Sequence, residues 1–353
     1  MADDFRLDSH KLACHPCEVG RWCQGKKTYP IEIEISPSGA CNHRCVFCAV
    51  DYLGYQPAFL DKDMIVRNVR QMRGHGLKSV VCSGEGEPLL NRNMPEMALE
   101  MKGAGVDVAM ASNGVLLERG ITESCLQAFT WIRFSMAAIH EDTYRKIHRG
   151  KEGDLKKALE NIAYAVEWKK KNSLVTTLGV QCLLIQENRN EILDMAGQLR
   201  QMGVDYFTVK PYSQHTQSVN HLEVDYNELL ELEYEIGQYE TDSYKIYYRS
   251  NAMKKIKAKK SYDNCHGLSF MTHIDAKGNV WPCVNFVGKQ GFSYGNLYEQ
   301  NFEEIWNGEG RKKVVSIFEN TDINHICRDA CRLDEINRYL DRLKHPGAHD
   351  NFI

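Results

Sequence analysis

No stretch of this 353-residue chain stays apolar for the roughly 20 residues that a membrane span requires, so no membrane partner is expected. Excess charge is lacking too: 44 Lys and Arg stand against 47 Asp and Glu, for a formal net charge of −3. Without a basic surplus, no nucleic-acid partner is expected either. The N-terminus, MADDFRLDSH, lacks the charged-then-apolar plan of a signal peptide, which points to a cytoplasmic protein. Internal repeats and low-complexity segments are missing, and the one basic run, KKIKAKK at 254–260, reads as a solvated connector. What the chain has in quantity is cysteine. Thirteen thiols in a reducing compartment are poor candidates for disulfides and good ones for metal ligands.

Short β-rich runs at IEIEIS (31–36), SVVC (79–82), VDVAMA (106–111), WIRFSM (131–136), TTLGVQCLLI (176–185) and DYFTVK (205–210) alternate with stretches of helical periodicity, such as DKDMIVRNVRQMRGHG. Six strands, each followed by a helical or longer connection, predict an α/β fold with a parallel sheet, either open or curled into a barrel. Ligands of such folds gather at the C-terminal strand ends. After about residue 225 the rhythm changes, and YNELLELEYEIGQYE leads into a small cysteine-bearing region from 262 onward.

Strand alternation says which side chains face inward. In IEIEIS the isoleucines take one face and Glu32, Glu34 and Ser36 the other; Arg133 and Ser135 share a face, as do Thr208, Lys210 and Tyr212. Helices cover the outside, so the polar faces should turn into the lumen. There Glu32, Arg133, Gln181, Lys210 and Tyr212 suit a polyhydroxylated or charged substrate, unless some of them simply pair as buried ions. The same alternation turns Cys82 and Cys182 outward into packing.

CNHRCVFC, residues 41–48, follows the first strand in a loop, where a site belongs. Three thiols in this span could be small buried apolar groups, or part of a zinc site, although structural zinc takes four ligands and no fourth lies nearby. A 4Fe–4S cluster held by three thiolates is the other reading, since its open iron can chelate an amine and a carboxylate. The CxxxCxxC spacing, with Phe47 before the last cysteine, resembles the radical S-adenosylmethionine (SAM) superfamily. That resemblance implies a partial (β/α)6 TIM-type barrel over about 25–225, behind an extension or lid at 1–24. It assigns Cys41, Cys45 and Cys48 to a SAM-binding cluster and Phe47 to the SAM site.

Further stretches are similar to the same family. SGEGEPLL resembles its Gly-Gly-Glu-Pro turn: Gly86, Glu87 and Pro88 match, Glu85 departs, and Glu87 would receive the methionine ammonium. Ser112 and Asn113 in SNG, Ser135, and Arg149 in HRG resemble positions that reach the SAM ribose or carboxylate. Cys265, Cys283 in IDAKGNVWPC, and Cys327 and Cys331 in CRDAC resemble the twitch or SPASM extension of the superfamily. This implies a small α+β domain over 262–353, behind a helical linker at 226–261. DAKGNV signals a hairpin that brings Cys283 near Cys265. Thiol count alone favours zinc there; the resemblance implies an auxiliary 4Fe–4S cluster whose irons are all filled by protein thiolates. CHPCEVGRWC leaves Cys14, Cys17 and Cys23, with His15, as packing residues, a third metal site or a hydrogen-atom donor.

The resemblance implies SAM and two 4Fe–4S clusters as cofactors and a reductant such as flavodoxin or ferredoxin. It also implies hydrogen abstraction by a 5′-deoxyadenosyl radical from a small polar substrate that is sugar-, cyclitol- or nucleoside-like. As in the dehydrogenases of aminocyclitol biosynthesis, the expected outcome is oxidation of an alcohol carbon. Lys210, Tyr212 or Glu32 would take the hydroxyl proton, and the auxiliary cluster the electron. Epimerisation and modification of a ribosomally made peptide are rival reactions. The ~30 residues ahead of the first strand are too few for the roughly eighty-residue domain that commonly recognises such peptides. A non-catalytic iron–sulfur or zinc scaffold is the rival of a different class.

Overall fold

The computed structural model describes residues 10–256, 258–329 and 331–352. In strand β1 (Glu32–Ile35) the β-branched Ile33 and Ile35 are fully buried, while Glu32 and Glu34 turn to the inside. The same alternation continues through β2 (Ser79–Cys82), β3 (Asp107–Ser112), β4 (Phe129–Ser135), β5 (Thr177–Leu184) and β6 (Tyr206–Pro211). Each strand pairs in parallel with the one before it. The connecting helices close the outer face. Helix Lys62–Gly74 starts at Asp61, whose carboxylate accepts the Met64 N–H at 2.7 Å, and buries Ile65, Val69 and Met72. Helix Asp154–Lys171 buries Leu155, Ala158, Ile162 and Ala165. Full burial of each Leu, Ile or Val stabilises by about 1.5–3 kcal/mol. The apolar shell outside the sheet therefore holds the barrel and leaves the inner faces free to be polar.

Two strand pairings exceed the sequence expectation. The stretch read as a helical link carries strand β7 (Lys245–Tyr248), parallel to β6, between helices Leu232–Gly237 and Ser250–Lys254. On the other side, β8 (Met271–Ile274) pairs in parallel with β1, Glu34 opposite His273, so the C-terminal region continues the barrel sheet. Among the described residues the order is β10-β9-β8-β1-β2-β3-β4-β5-β6-β7, with β9 (Asn279–Trp281) and β10 (Gly295–Asn296) antiparallel, and the barrel is partial because β7 and β10 are its ends. The expected hairpin is β8–β9. Asp275 builds its turn by accepting the N–H groups of Lys277 and Asn279 and the Trp281 indole N–H.

Of the segment expected as an extension or lid, residues 1–9 lie outside the described residues, and residues 10–24 do not line the cavity described below. Helix Pro16–Cys23 packs Val19 with Ile31, Phe270 and Leu340, at the N-terminal ends of β1 and β8, and Cys14, Cys17 and Cys23 are exposed there. No helix among the described residues is long and apolar enough to cross a membrane.

Candidate active site

At the C-terminal strand ends opens a cavity of about 530 Å³, and Cys41, Cys45, Phe47 and Cys48 form one wall. The loop that carries them is fixed by the turn after β2. A side chain at Gly86 would overlap the Ala40 carbonyl, and the Glu87 N–H donates to that carbonyl at 2.9 Å. Glu87 is buried, and its Oε1 accepts from Ser112 Oγ at 2.7 Å and from the Leu89 N–H at 3.2 Å. Its Oε2 accepts the Asn113 N–H at 2.8 Å, while Asn113 Nδ2 donates to Asn42 Oδ1 at 2.7 Å. One buried carboxylate thus ties the cysteine loop, the β2 turn and the β3 turn together. Burial pushes its acidity down, raising the pKa above the usual carboxylate range despite these donors. Glu85, the departure from the expected turn, accepts the Ala276 N–H at 2.7 Å, so it anchors the β8–β9 hairpin to the barrel. Asp51, which sequence reasoning missed, accepts from Ser218 Oγ, the Val219 and Asn220 N–H groups and Asn220 Nδ2, and fastens the loop after β6 to the cysteine loop.

Arg149 does not line the cavity, although its charge reaches the Cys45 thiol. It is exposed, with a left-handed backbone (φ 50°) that ends helix Glu141–His148, and the neighbouring His148 faces inward in its place. His148 Nδ1 lies 3.2 Å from Cys45 Sγ, and Phe47 meets its ring edge to face at 5.5 Å. Burial, with His43 beside it, pushes the His148 pKa down to about 3.

The lumen is polar, as alternation implied: Glu32, Glu34, Ser83, Arg133, Ser135, Gln181, Lys210 and Tyr212 line it, together with Trp131 and Arg249. Arg332 reaches in from the segment after Cys331 and pairs with both Glu32 and, at 2.9 Å, Glu34. Burial alone would raise the Glu34 pKa, but Arg332 and His273 hold it well below the usual range. Tyr212 donates to Gln214 Oε1 at 2.6 Å. Lys210 makes no side-chain hydrogen bond or ion pair among the described residues, and burial followed by Arg133, Arg249, Arg328 and Arg332 pulls its pKa well below the ordinary 10.5. The basic run at 254–260 is more than a solvated connector: Lys255, Ala258 and Lys260 line the cavity, and Lys255 pairs with Glu335. Lys257 lies outside the described residues.

A second thiol group borders the same cavity. Cys283, just past β9, and Cys331 line it, and a hydrogen bond with Cys331, burial and then charge on Cys331, Cys283 or Cys265 push the Cys327 thiol up, so the four thiols lie within electrostatic reach of one another. Asn337 Nδ2 donates to Cys265 Sγ at 3.5 Å and the Leu333 N–H to Cys331 Sγ at 3.4 Å. Four sulfurs about 2.3 Å from one zinc ion would sit roughly 3.8 Å apart. Among the described residues no three thiols gather within 4.8 Å, in either group, which suits a larger cluster better than a single ion. Burial and Glu87 push the Cys41 thiol up to about 12, so the loop would hold neutral thiols unless a metal centre draws off their protons. Both donor sets fit iron–sulfur clusters.

Comparison with known proteins gives the same partition. The pattern of the Radical SAM superfamily matches residues 35–199, and that of the SPASM iron–sulfur cluster-binding domain matches residues 265–332. The chain carries a radical SAM domain followed by a SPASM iron–sulfur cluster-binding domain. Its cofactors are SAM and two 4Fe–4S clusters. Among curated radical SAM relatives, the GTP 3′,8-cyclase of Listeria monocytogenes is 31% identical over 144 residues, covering 38% of this chain and 41% of its own length. The probable GTP 3′,8-cyclase of Saccharolobus solfataricus is 33% identical over 120 residues, covering 33% of this chain and 39% of its own. The matches thus span about two fifths of these relatives. Streptococcus suis SuiB bound to S-adenosylmethionine superposes with a TM-score of 0.66 at 17% identity, over 84% of this chain and 70% of SuiB. The protein anSMEcpe with bound AdoMet superposes with a TM-score of 0.59 at 14% identity, over 87% and 91%. These likenesses support the fold.

Proposed function

We propose that this radical SAM enzyme oxidises an alcohol carbon of a small polar substrate, sugar-, cyclitol- or nucleoside-like, held in the barrel lumen. The observation that carries the reading is one cavity bordered by two thiol groups, Cys41, Cys45 and Cys48 on one side and Cys283 and Cys331 on the other, with a polar wall between. In this reading Cys41, Cys45 and Cys48 hold the SAM-binding cluster, and Cys265, Cys283, Cys327 and Cys331 the auxiliary one. Phe47, Gly86, Glu87, Pro88, Ser112, Asn113 and Ser135 surround SAM. When bound, SAM and the first cluster supply hydrogen-atom abstraction and the auxiliary cluster accepts one electron, the first cluster being recharged by an external donor of the flavodoxin or ferredoxin type.

The chain's own residues confine the substrate and move the remaining proton. Glu32 is engaged by Arg332, and burial raises the Tyr212 phenol while it donates to Gln214. Lys210 therefore takes the hydroxyl proton, because burial among arginines leaves its amine free to accept one. The curated relatives' printed activity, on GTP, supports a nucleoside-like member of the substrate class. Oxidation is favoured over epimerisation because the lumen offers no spare thiol among the described residues: Cys82 and Cys182 are fully buried on the outer face, and Cys14, Cys17 and Cys23 lie at the opposite strand ends. The test is stoichiometry on candidate polyols and nucleosides. Oxidation gives product two hydrogens lighter, one to one with 5′-deoxyadenosine; unchanged mass with one solvent deuterium fixed at carbon overturns it.

A further inference from the structure

The wall of the lumen around Lys210 is cationic beyond what a neutral polyol needs. The charges that act on Lys210 come from Arg133 on β4, Arg249 just after β7, and Arg328 and Arg332 in the cysteine-bearing segment, with no acid among them. Most other ions of the cavity are matched to one another: Arg332 with Glu32 and Glu34, Lys255 with Asp334 and Glu335, and Arg338 with Asp334. Arg133 differs. Its Nε is buried without a hydrogen-bond partner among the described residues, although its guanidinium lies over the Trp131 ring at 5.2 Å. A buried N–H left unpaired is costly, and arginine cannot shed its charge to relieve the crowding.

Resting on the reading of the lumen as the substrate site, we infer that Arg133 and Arg328, which both line the cavity, receive an anionic group of the substrate, a phosphate or a carboxylate. Planar guanidinium forks match either group through paired N–H donors. An anion held at this wall also fixes which carbon of the substrate faces the cysteine loop, as a selective abstraction requires.

Calorimetric titration of the cluster-reconstituted, SAM-loaded enzyme with inorganic phosphate, acetate and myo-inositol tests the inference. Phosphate is expected to bind more tightly than myo-inositol, and Arg133→Gln to weaken phosphate binding by about tenfold or more. Acetate bound in preference to phosphate assigns the site to a carboxylate. Thermal melting and iron content check that the variant folds; where Arg133→Gln does not, Arg328→Gln takes its place with the same expected loss. Neither anion bound by the wild type, or equal binding by a folded variant, overturns the inference. Binding here needs no turnover. A substrate that is epimerised or cyclised leaves the anion result standing, and absent anion binding leaves oxidation of a neutral polyol standing.

Discussion

His148 holds its Nδ1 3.2 Å from Cys45 Sγ while its Nε2 accepts the Ala137 N–H at 3.0 Å. Because Nε2 must offer its lone pair, the ring proton sits on Nδ1 and points at the sulfur. Hydrogen bonds to ligating sulfur favour the reduced, more negative state of an iron–sulfur centre. His148→Phe keeps a ring in the pocket and removes the donor. The midpoint potential of the SAM-binding cluster is expected to fall by roughly 40 mV, equivalent to about 1 kcal/mol for one electron. Redox titration followed by EPR reads it, and an unchanged potential contradicts the hydrogen bond.

Arg332 joins the cysteine-bearing C-terminal segment to β1 through Glu32 and Glu34. Arg332→Met leaves Glu34, only 9% exposed at its side chain, without its main counter-charge. Arg332 itself is 43% exposed, so the expected loss is about 2 kcal/mol, short of the 3–5 seen when fully buried pairs are broken. The wild-type contribution of Glu34 is present above its ordinary pKa of 4.5 and disappears as pH falls towards its depressed folded value. In the variant that depression is smaller, so less stability is lost on acidification and the gap between wild type and variant is expected to narrow as pH falls below 4.5. Melting curves across pH 3–6 check both effects.

Lys210 gives the opposite sign. Its folded pKa is lowered from 10.5, so between that lowered value and 10.5 the unfolded chain binds a proton that the folded chain does not. Wild-type stability should therefore rise with pH in that window, and Lys210→Met should lose the slope. At neutral pH the same variant is expected to melt higher than wild type, since the cost of burying the Lys210 amine among arginines is removed, yet to lose product formation. A lower melting temperature would mean that Lys210 has an anionic partner in the ligand-free protein.

How much of this was legible in the sequence depended on range. CNHRCVFC is a local pattern, and period-2 alternation placed Glu32, Arg133, Gln181, Lys210 and Tyr212 in the lumen without any knowledge of neighbours. Glu85 was opaque because its partner, the Ala276 N–H, lies 191 residues away. Strand β7, KIYY, is short and half-buried along most of its length, and it becomes a strand by pairing with β6. HRG pointed to Arg149 and not to its neighbour, because a motif shows which residues are adjacent, whereas the left-handed turn at Arg149 leaves His148 on the cavity wall. The arginines of CRDACR carried a signal that went unread. Arg328 and Arg332 follow Cys327 and Cys331 directly and project their charge into the lumen.

The most direct test is the product of SAM cleavage by anaerobically reconstituted enzyme under a strong reductant, wild type against the variant with Cys41, Cys45 and Cys48 all changed to Ala. Wild type is expected to carry two clusters and release 5′-deoxyadenosine; the triple variant should keep one cluster, at Cys265, Cys283, Cys327 and Cys331, and release none. 5′-Deoxyadenosine from the triple variant, or its absence from wild type loaded with both clusters, would contradict radical SAM chemistry at the cysteine loop.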